Sequence, residues 1–130
     1  ENFSDVIKWK QQHPTGLVVN VLTRVYWENC NILNSVHWPL EDIKRNKQFI
    51  STIQKPVGFN TPILLYCAHK TCFTSKKAQI ELTNQGFKNV YRYTGGMSDW
   101  ILNNQPTNGK CDMKEYAKCF QHNCKPPYPP

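Results

Sequence analysis

No apolar run in this chain approaches the ~20 consecutive residues that a membrane-spanning helix needs. The mean hydropathy of −0.61 agrees with a soluble protein that has no membrane partner. Acid is scarce as well: nine Asp and Glu stand against sixteen Lys and Arg, a net charge of +7 at pH 7. That balance favours anionic small molecules, acidic protein surfaces or non-specific contact with nucleic acid. The basic clusters Lys44-Arg45-Asn46-Lys47 and Lys76-Lys77 are short. They lack the interleaved aromatics of a groove that stacks single-stranded bases, so a solvated basic surface is the better reading and nucleic acid is not an expected partner. The sequence starts at Glu1 and not Met, and it reads without a signal-like segment; a removed targeting sequence and a trimmed chain both fit. Asn2-Phe3-Ser4 is a formal glycosylation sequon, a match that arises often by chance.

Present instead are 39% hydrophobic residues, with four Trp, six Tyr and six Phe, in 130 residues. This is the size and content of one domain with its own core. Ser4 to Gln12 reads as a helix with Ser4 as N-cap, stopped by Pro14 and Gly16. Leu17 to Leu22 reads as a buried strand, Val25 to Asn34 mostly as loop, and Ser35 to Trp38 as a short strand ended by Pro39. Glu41 to Gln54 reads as one or two helices, Ile63 to Tyr66 as the central strand and Phe73 to Gln85 as a helix ended by Gly86. Asn89 to Tyr93 is a further strand, and Ser98 to Asn103 a short helix with Ser98 as N-cap. Strands separated by helices predict an α/β fold with a doubly wound parallel sheet. In the helix after the central strand, Ala78, Ile80 and Leu82 offer the apolar side that packs on the sheet.

One segment carries the chemistry. The apolar run Ile63-Leu64-Leu65-Tyr66 ends on Cys67, and a short polar loop, Ala68-His69-Lys70-Thr71, leads to Cys72, Phe73 and the helix. A thiol there faces the N-terminus of the helix, where unpaired N–H groups and the helix dipole favour the anion. The thiolate is the nucleophilic form, so Cys67 is expected to titrate below the free value of about 8.5 and to be reactive. A buried structural cysteine at a strand end is the bland alternative. Sites in such sheets lie beyond the carboxyl ends of the strands, where Cys67 falls.

This segment and its continuation, Gly86-Phe87, the strand to Tyr93, Gly95-Gly96 and Trp100, resemble the rhodanese-like (sulfurtransferase) family. Leu17-Val18-Val19-Asn20-Val21 looks like the family's early strand, and Asn31 to Leu40 like its His-Ile-Pro-Gly-Ala segment. The resemblance runs from about Phe3 to Leu102 and implies four to five parallel strands with helices on both faces. This chain has Asn20, Val21 and Leu22 where the family reads Asp-Val-Arg, Asn31 for its His, and Cys72 where many members carry a loop Arg. Its Cys-x4-Cys loop resembles a two-cysteine subgroup. The resemblance implies a sulfurtransferase in which Cys67 takes a sulfane sulfur as a persulfide and passes it to a thiol or cyanide. Backbone amides from Ala68 to Phe73 would cradle the charge, Lys70 would attract a small anionic donor, and His69 would assist. Cys72 is a candidate resolving thiol that attacks the persulfide and leaves a disulfide. No cofactor or resident metal is implied; the partners are the anionic sulfur donor and a thiol acceptor, small or borne on a protein.

Other classes remain beside it. A phosphatase-type relative would need Arg where Phe73 stands. A thiol/disulfide oxidoreductase or redox sensor would use Cys67 and Cys72, although the usual redox motif separates its cysteines by two residues. A non-catalytic binding module would keep the fold alone. Residues 1–102 are read as the domain and 103–130 as a Cys/Pro-rich extension packed on or tethered to it. Cys111, Cys119 and Cys124, with Cys30, are disulfide candidates, which would favour a secreted or periplasmic location over a cytoplasmic one. A zinc set of Cys111, Cys119, His122 and Cys124 has no familiar spacing, and a plain tail with free thiols is the third reading.

Overall fold

The structure is a computed structural model and describes residues 2–45, 57–69 and 72–111. Helix α1, Phe3–Gln12, starts from Asn2, not Ser4. The Asn2 side chain accepts the N–H groups of Ser4 and Asp5, and Asp5 accepts the N–H of Asn2 in return. This reciprocal capping satisfies donors at both ends of the first turn. The Ser4 hydroxyl joins the same cap by donating to Asn2 Oδ1 at 2.6 Å. The asparagine of the sequon is therefore the helix cap. Val6 and Trp9 are the residues that α1 buries.

Four strands follow in one parallel sheet: β1 Leu17–Asn20, β3 Val36–His37, β4 Ile63–Tyr66 and β5 Val90–Tyr93, in the order β3-β1-β4-β5. The fold is the expected α/β arrangement of a parallel sheet with flanking helices. Every residue of β1 and β4 is buried, as strands covered on both faces require. β1 stops at Asn20, two residues before the apolar run does, because Asn20 Oδ1 accepts the N–H of Leu22 at 2.9 Å and turns the chain. Trp9 of α1 meets Tyr91 edge-on, while Ser75 of α4 (Thr74–Asn84) bonds Arg92. Neighbouring strand residues point to opposite faces, so α1 and α4 cover opposite sides of the sheet. Within α4, Thr74, Ser75, Ala78 and Leu82 are buried, whereas Ile80 is 52% exposed and lies outside the packed face.

Two stretches read as loop hold structure. Val25 to Asn34 contains most of α2, Arg24–Asn29, and β2, Asn31–Ile32. The polar stretch after Leu102 contains β6, Thr107–Asn108, paired antiparallel with β2. Strands of two residues carry no readable alternation, and this pairing spans the chain. The remaining helices are α3, Leu40–Arg45, and α5, Gly96–Leu102. The continuation of the expected Glu41–Gln54 helix past Arg45 lies outside the described residues. α5 begins two residues before the Ser98 cap expected from sequence, with Gly95 at its N-cap.

Residues 103–111 are bound to the body at several points. Trp100 Nε1 donates to the Pro106 carbonyl at 2.7 Å, the Cys111 N–H donates to the Asn29 carbonyl at 2.8 Å, and a disulfide joins Cys30 to Cys111. Gly109, at φ +105°, runs so close to α2 that a Cβ would stand 2.5 Å from the Asn29 oxygen. Cys119 and Cys124 lie outside the described residues, as does His122. Among the described residues, no helix is long and apolar enough to cross a membrane.

Candidate active site

The carboxyl ends of the strands set the site. Asn20, Tyr66 and Tyr93 stand side by side as register partners at the ends of β1, β4 and β5. The chain leaves β4 directly into Cys67. The Tyr66 hydroxyl receives the N–H of Ile32 at 3.0 Å and lies 2.8 Å from Ser35 Oγ. Burial pushes this phenol up to about 12, so it stays neutral and ties β4 to β2.

The loop is held from the opposite side by α5. The Met97 N–H donates to the Cys67 carbonyl at 2.8 Å and the Ser98 N–H to that of Ala68 at 2.9 Å. Only glycine permits this approach: Gly96 has φ +66°, and a Cβ there would lie 2.5 Å from the Cys67 oxygen. The Gly-Gly pair is thus a backbone seat for the cysteine loop.

Cys67 and Cys72 are free thiols, 2% and 1% exposed. The Cys67 Sγ lies 3.4 Å from Ser75 Oγ and 3.6 Å from the Cys72 carbonyl oxygen. Cys67 is also hydrogen-bonded to the Cys72 side chain, and the side chain and N–H of Ser75 favour its anion. The Cys72 N–H is committed to the His69 carbonyl at 3.0 Å, so it is not part of an open amide cradle. Ala68 and His69 are buried. Burial lowers the His69 imidazole below its ordinary value, which leaves it a neutral hydrogen-bonding group at pH 7. Phe73 precedes α4 and is 49% exposed. Lys70 and Thr71 lie outside the described residues.

The electrostatics overturn one expectation. Cys67 does not titrate below the free value. Burial pushes its thiol well up, and the hydrogen bond and charge of Cys72 push it further, against the smaller help from Ser75. Cys72 goes the other way. Burial works to raise it, but hydrogen bonds from the Cys67 thiol, from the side chain and N–H of Thr74 and from the N–H of Ala68 outweigh that and bring it down to about 6. A thiol that lacks access to water follows its donors, and here the donors at the helix start serve Cys72 first. The two thiols titrate as a pair, in which burial disfavours an anion on Cys67 and the helix-start donors favour one on Cys72.

Two side chains that sequence reasoning passed over complete the site. Ser75 is 1% exposed behind Cys67 in the first turn of α4. Arg92 reaches across from β5 and donates Nε–H to Ser75 Oγ at 3.1 Å. A charged residue inside Val90-Tyr91-Arg92-Tyr93 was the available signal. Among the described residues, no group of three or more His, Cys, Asp or Glu is placed to hold a metal ion. Cys111, bonded to Cys30, is no thiolate ligand for the zinc set.

A titration checks the pair. Thiolate ultraviolet absorbance, measured against a Cys67→Ser/Cys72→Ser variant, is expected to show a first anion appearing near pH 6 and a second only well above 9. A single step at the free value of about 8.5 for both thiols would contradict the arrangement.

A family model for the rhodanese-like domain matches residues 4–103. No curated protein matches the chain. Solved structures that resemble it include the BH2092 protein of Bacillus halodurans, with a TM-score of 0.68 and 21% identity over 88% of this chain and 85% of that one. The Alr3790 protein of Anabaena gives 0.67 and 20% identity over 92% and 97%. A rhodanese of E. coli, described as solved with anions, gives 0.55 and 17% over 72% and 98%. At these identities the structural likeness speaks for the fold alone.

Proposed function

Because the chain belongs to the rhodanese-like domain family, we propose that it is a sulfurtransferase that carries a sulfane sulfur on Cys67. The supporting observation is the hydrogen-bonded thiol pair at the junction of β4 and α4, with the Cys67 sulfur set against Ser75. The Cys72 thiolate takes the Cys67 proton as the Cys67 sulfur attacks the outer sulfur of an anionic donor. A sulfur–sulfur bond forms on Cys67, and the donor's own bond to that sulfur breaks, its electron pair leaving with the remaining anion. Ser75 and the start of α4 hold the persulfide charge, as preorganised donors hold other developing anions. Cyanide or a thiol, small or on a protein, then attacks the outer sulfur; the Cys67 sulfur leaves and recovers its proton from Cys72. A net charge of +7 suits an anionic donor, and the E. coli rhodanese solved with anions accords with it.

The test is mass spectrometry after incubation with thiosulfate, polysulfide or a low-molecular-weight persulfide. Trypsin cuts after Lys70, so non-reducing digestion places Cys67 and Cys72 on separate peptides. The expected result is one or more added sulfur atoms on the Cys67 peptide, absent in Cys67→Ser and still present in Cys72→Ser. A wild-type protein that gains sulfur on Cys67 from none of these donors rejects the reading.

A second reading has its own support in the contact of two free, buried thiols. Here the Cys72 sulfur attacks the inner sulfur of the Cys67 persulfide, a Cys67–Cys72 disulfide forms, hydrogen sulfide leaves, and an external dithiol restores the pair. Single-turnover release of one sulfide per loaded sulfur, lost in Cys72→Ser, would select it; sulfide release unchanged in Cys72→Ser would remove it.

A further inference from the structure

Arg92 stands on β5, on the face that α4 covers, and is half-buried. Among the described residues it forms no ion pair. Its Nε–H is spent on Ser75 Oγ at 3.1 Å, and the same oxygen lies 3.4 Å from the Cys67 sulfur. Ser75 is 1% exposed, so water has little room to replace either contact. A half-buried arginine with no carboxylate partner among the described residues carries a desolvation cost, and a negative charge at Cys67 would offset it.

A serine hydroxyl has one hydrogen to donate and two lone pairs. While Cys67 is a neutral thiol, its S–H is directed to Cys72, and Ser75 Oγ, 3.4 Å from the sulfur, accepts from Arg92. When Cys67 carries a negative charge, the hydroxyl hydrogen swings toward the sulfur while the lone pair still accepts from Arg92. The guanidinium then polarises the hydroxyl that faces the anion, and its charge acts in a site of low dielectric.

We propose that Arg92 is a positioning residue that stabilises the anionic form of the Cys67 sulfur through the hydroxyl of Ser75. Among the described residues, the charged and titratable groups on the elements around Cys67 include Cys72 and His69 on its own loop, Tyr66 on β4, Arg92 and Tyr93 on β5 and, on α5, Asp99. The carboxylate of Asp99 is occupied by the Tyr93 hydroxyl at 2.5 Å. Lys76 and Lys77 of α4 are exposed. Of these, Arg92 alone is a fixed cation bonded to a group that touches the sulfur. The inference rests on the sulfur-transfer reading only for its purpose, because its test uses no sulfur donor and the two can fail separately.

The experiment is a thiolate absorbance titration of Cys67 in a Cys72→Ser background, with a Cys67→Ser/Cys72→Ser protein as the blank. Arg92→Met is expected to raise the Cys67 midpoint by about one pH unit, the effect of losing one nearby opposite charge. Arg92→Lys, which keeps the charge, is expected to recover at least half of that shift, and Arg92→Gln, which keeps a donor without charge, is not. In Ser75→Ala, where the connection is cut, Arg92→Met is expected to add no further shift. Should Arg92→Met fail to fold, the Lys and Gln variants carry the same comparison. Midpoints unchanged in Arg92→Met, a Gln variant that titrates like its parent, or an Arg92→Met shift of equal size with and without Ser75 would each overturn the proposal. A clamp that only braces β5 against α4 would lower thermal stability in these variants and leave the midpoints together.

Discussion

Gly96→Ala is expected to destabilise the protein by more than about 3 kcal/mol and to abolish any chemistry at Cys67. The atoms that a Cβ would meet are backbone: the Cys67 oxygen at 2.5 Å, the Ala68 carbon at 2.9 Å and the His69 nitrogen at 2.9 Å. No rotamer change relieves such contacts. The residue also sits at φ +66°, which costs an L-residue roughly 1–2 kcal/mol by itself. Relief requires α5 to back away, and that withdraws the Met97 and Ser98 N–H groups from the loop carbonyls. Urea or thermal unfolding reads the loss, and sulfur loading reads the loop. Gly58→Ala is the control, because a Cβ there meets nothing within 4 Å, and its change is expected within about 0.5 kcal/mol. If Gly96→Ala unfolds at the same denaturant concentration as the wild type, the seat described for the loop is wrong.

Removing the Cys30–Cys111 bond, with Ala at both positions, is expected to cost about 2–4 kcal/mol. The bond joins residues 81 apart in sequence, and long closures restrict the unfolded chain most. Cys30 is fully buried, so its removal also leaves a small void. The linear slope of stability against urea should be steeper in the variant, whose unfolded chain expands further. Equal midpoints for the variant and the oxidised wild type would show that the β2–β6 pairing and the Trp100 and Asn29 contacts hold residues 103–111 unaided.

How far these features were legible depends on whether their cause is local. Ile63–Tyr66 was read with its true bounds because a continuous apolar run meets a cysteine and a polar loop, and nothing distant alters that. α1 was read as a helix but capped two residues late, since Asn2 and Ser4 are both good caps and the reciprocal bond from Asp5 decides between them. β2 and β6 escaped because two residues in pairing over a long separation leave no local pattern. The position of Cys67 was legible; its protonation was not. The helix start is visible in sequence, but the near-complete burial that raises the Cys67 thiol, and the donors that serve Cys72 first, exist only once the loop is packed. Gly95-Gly96 was noticed as a motif, while its purpose, an approach of backbone to backbone, appears only when α5 is set against Cys67. Arg92 and Ser75 meet across seventeen residues, and neither one alone marks the other.

The Cys30–Cys111 bond has a topological meaning as well. It closes a covalent ring that contains β3, β4, both free thiols, α4, β5 and α5, and leaves α1 and β1 outside on an open arm. A single cut anywhere inside the ring, after Lys70 for instance, opens it without releasing a fragment. The two sides of the sulfur site then stay on one molecule, joined through the bridge, so a nicked protein migrates as an intact chain until it is reduced. Cleavage between the thiols and cleavage of the molecule are, in this fold, separate events.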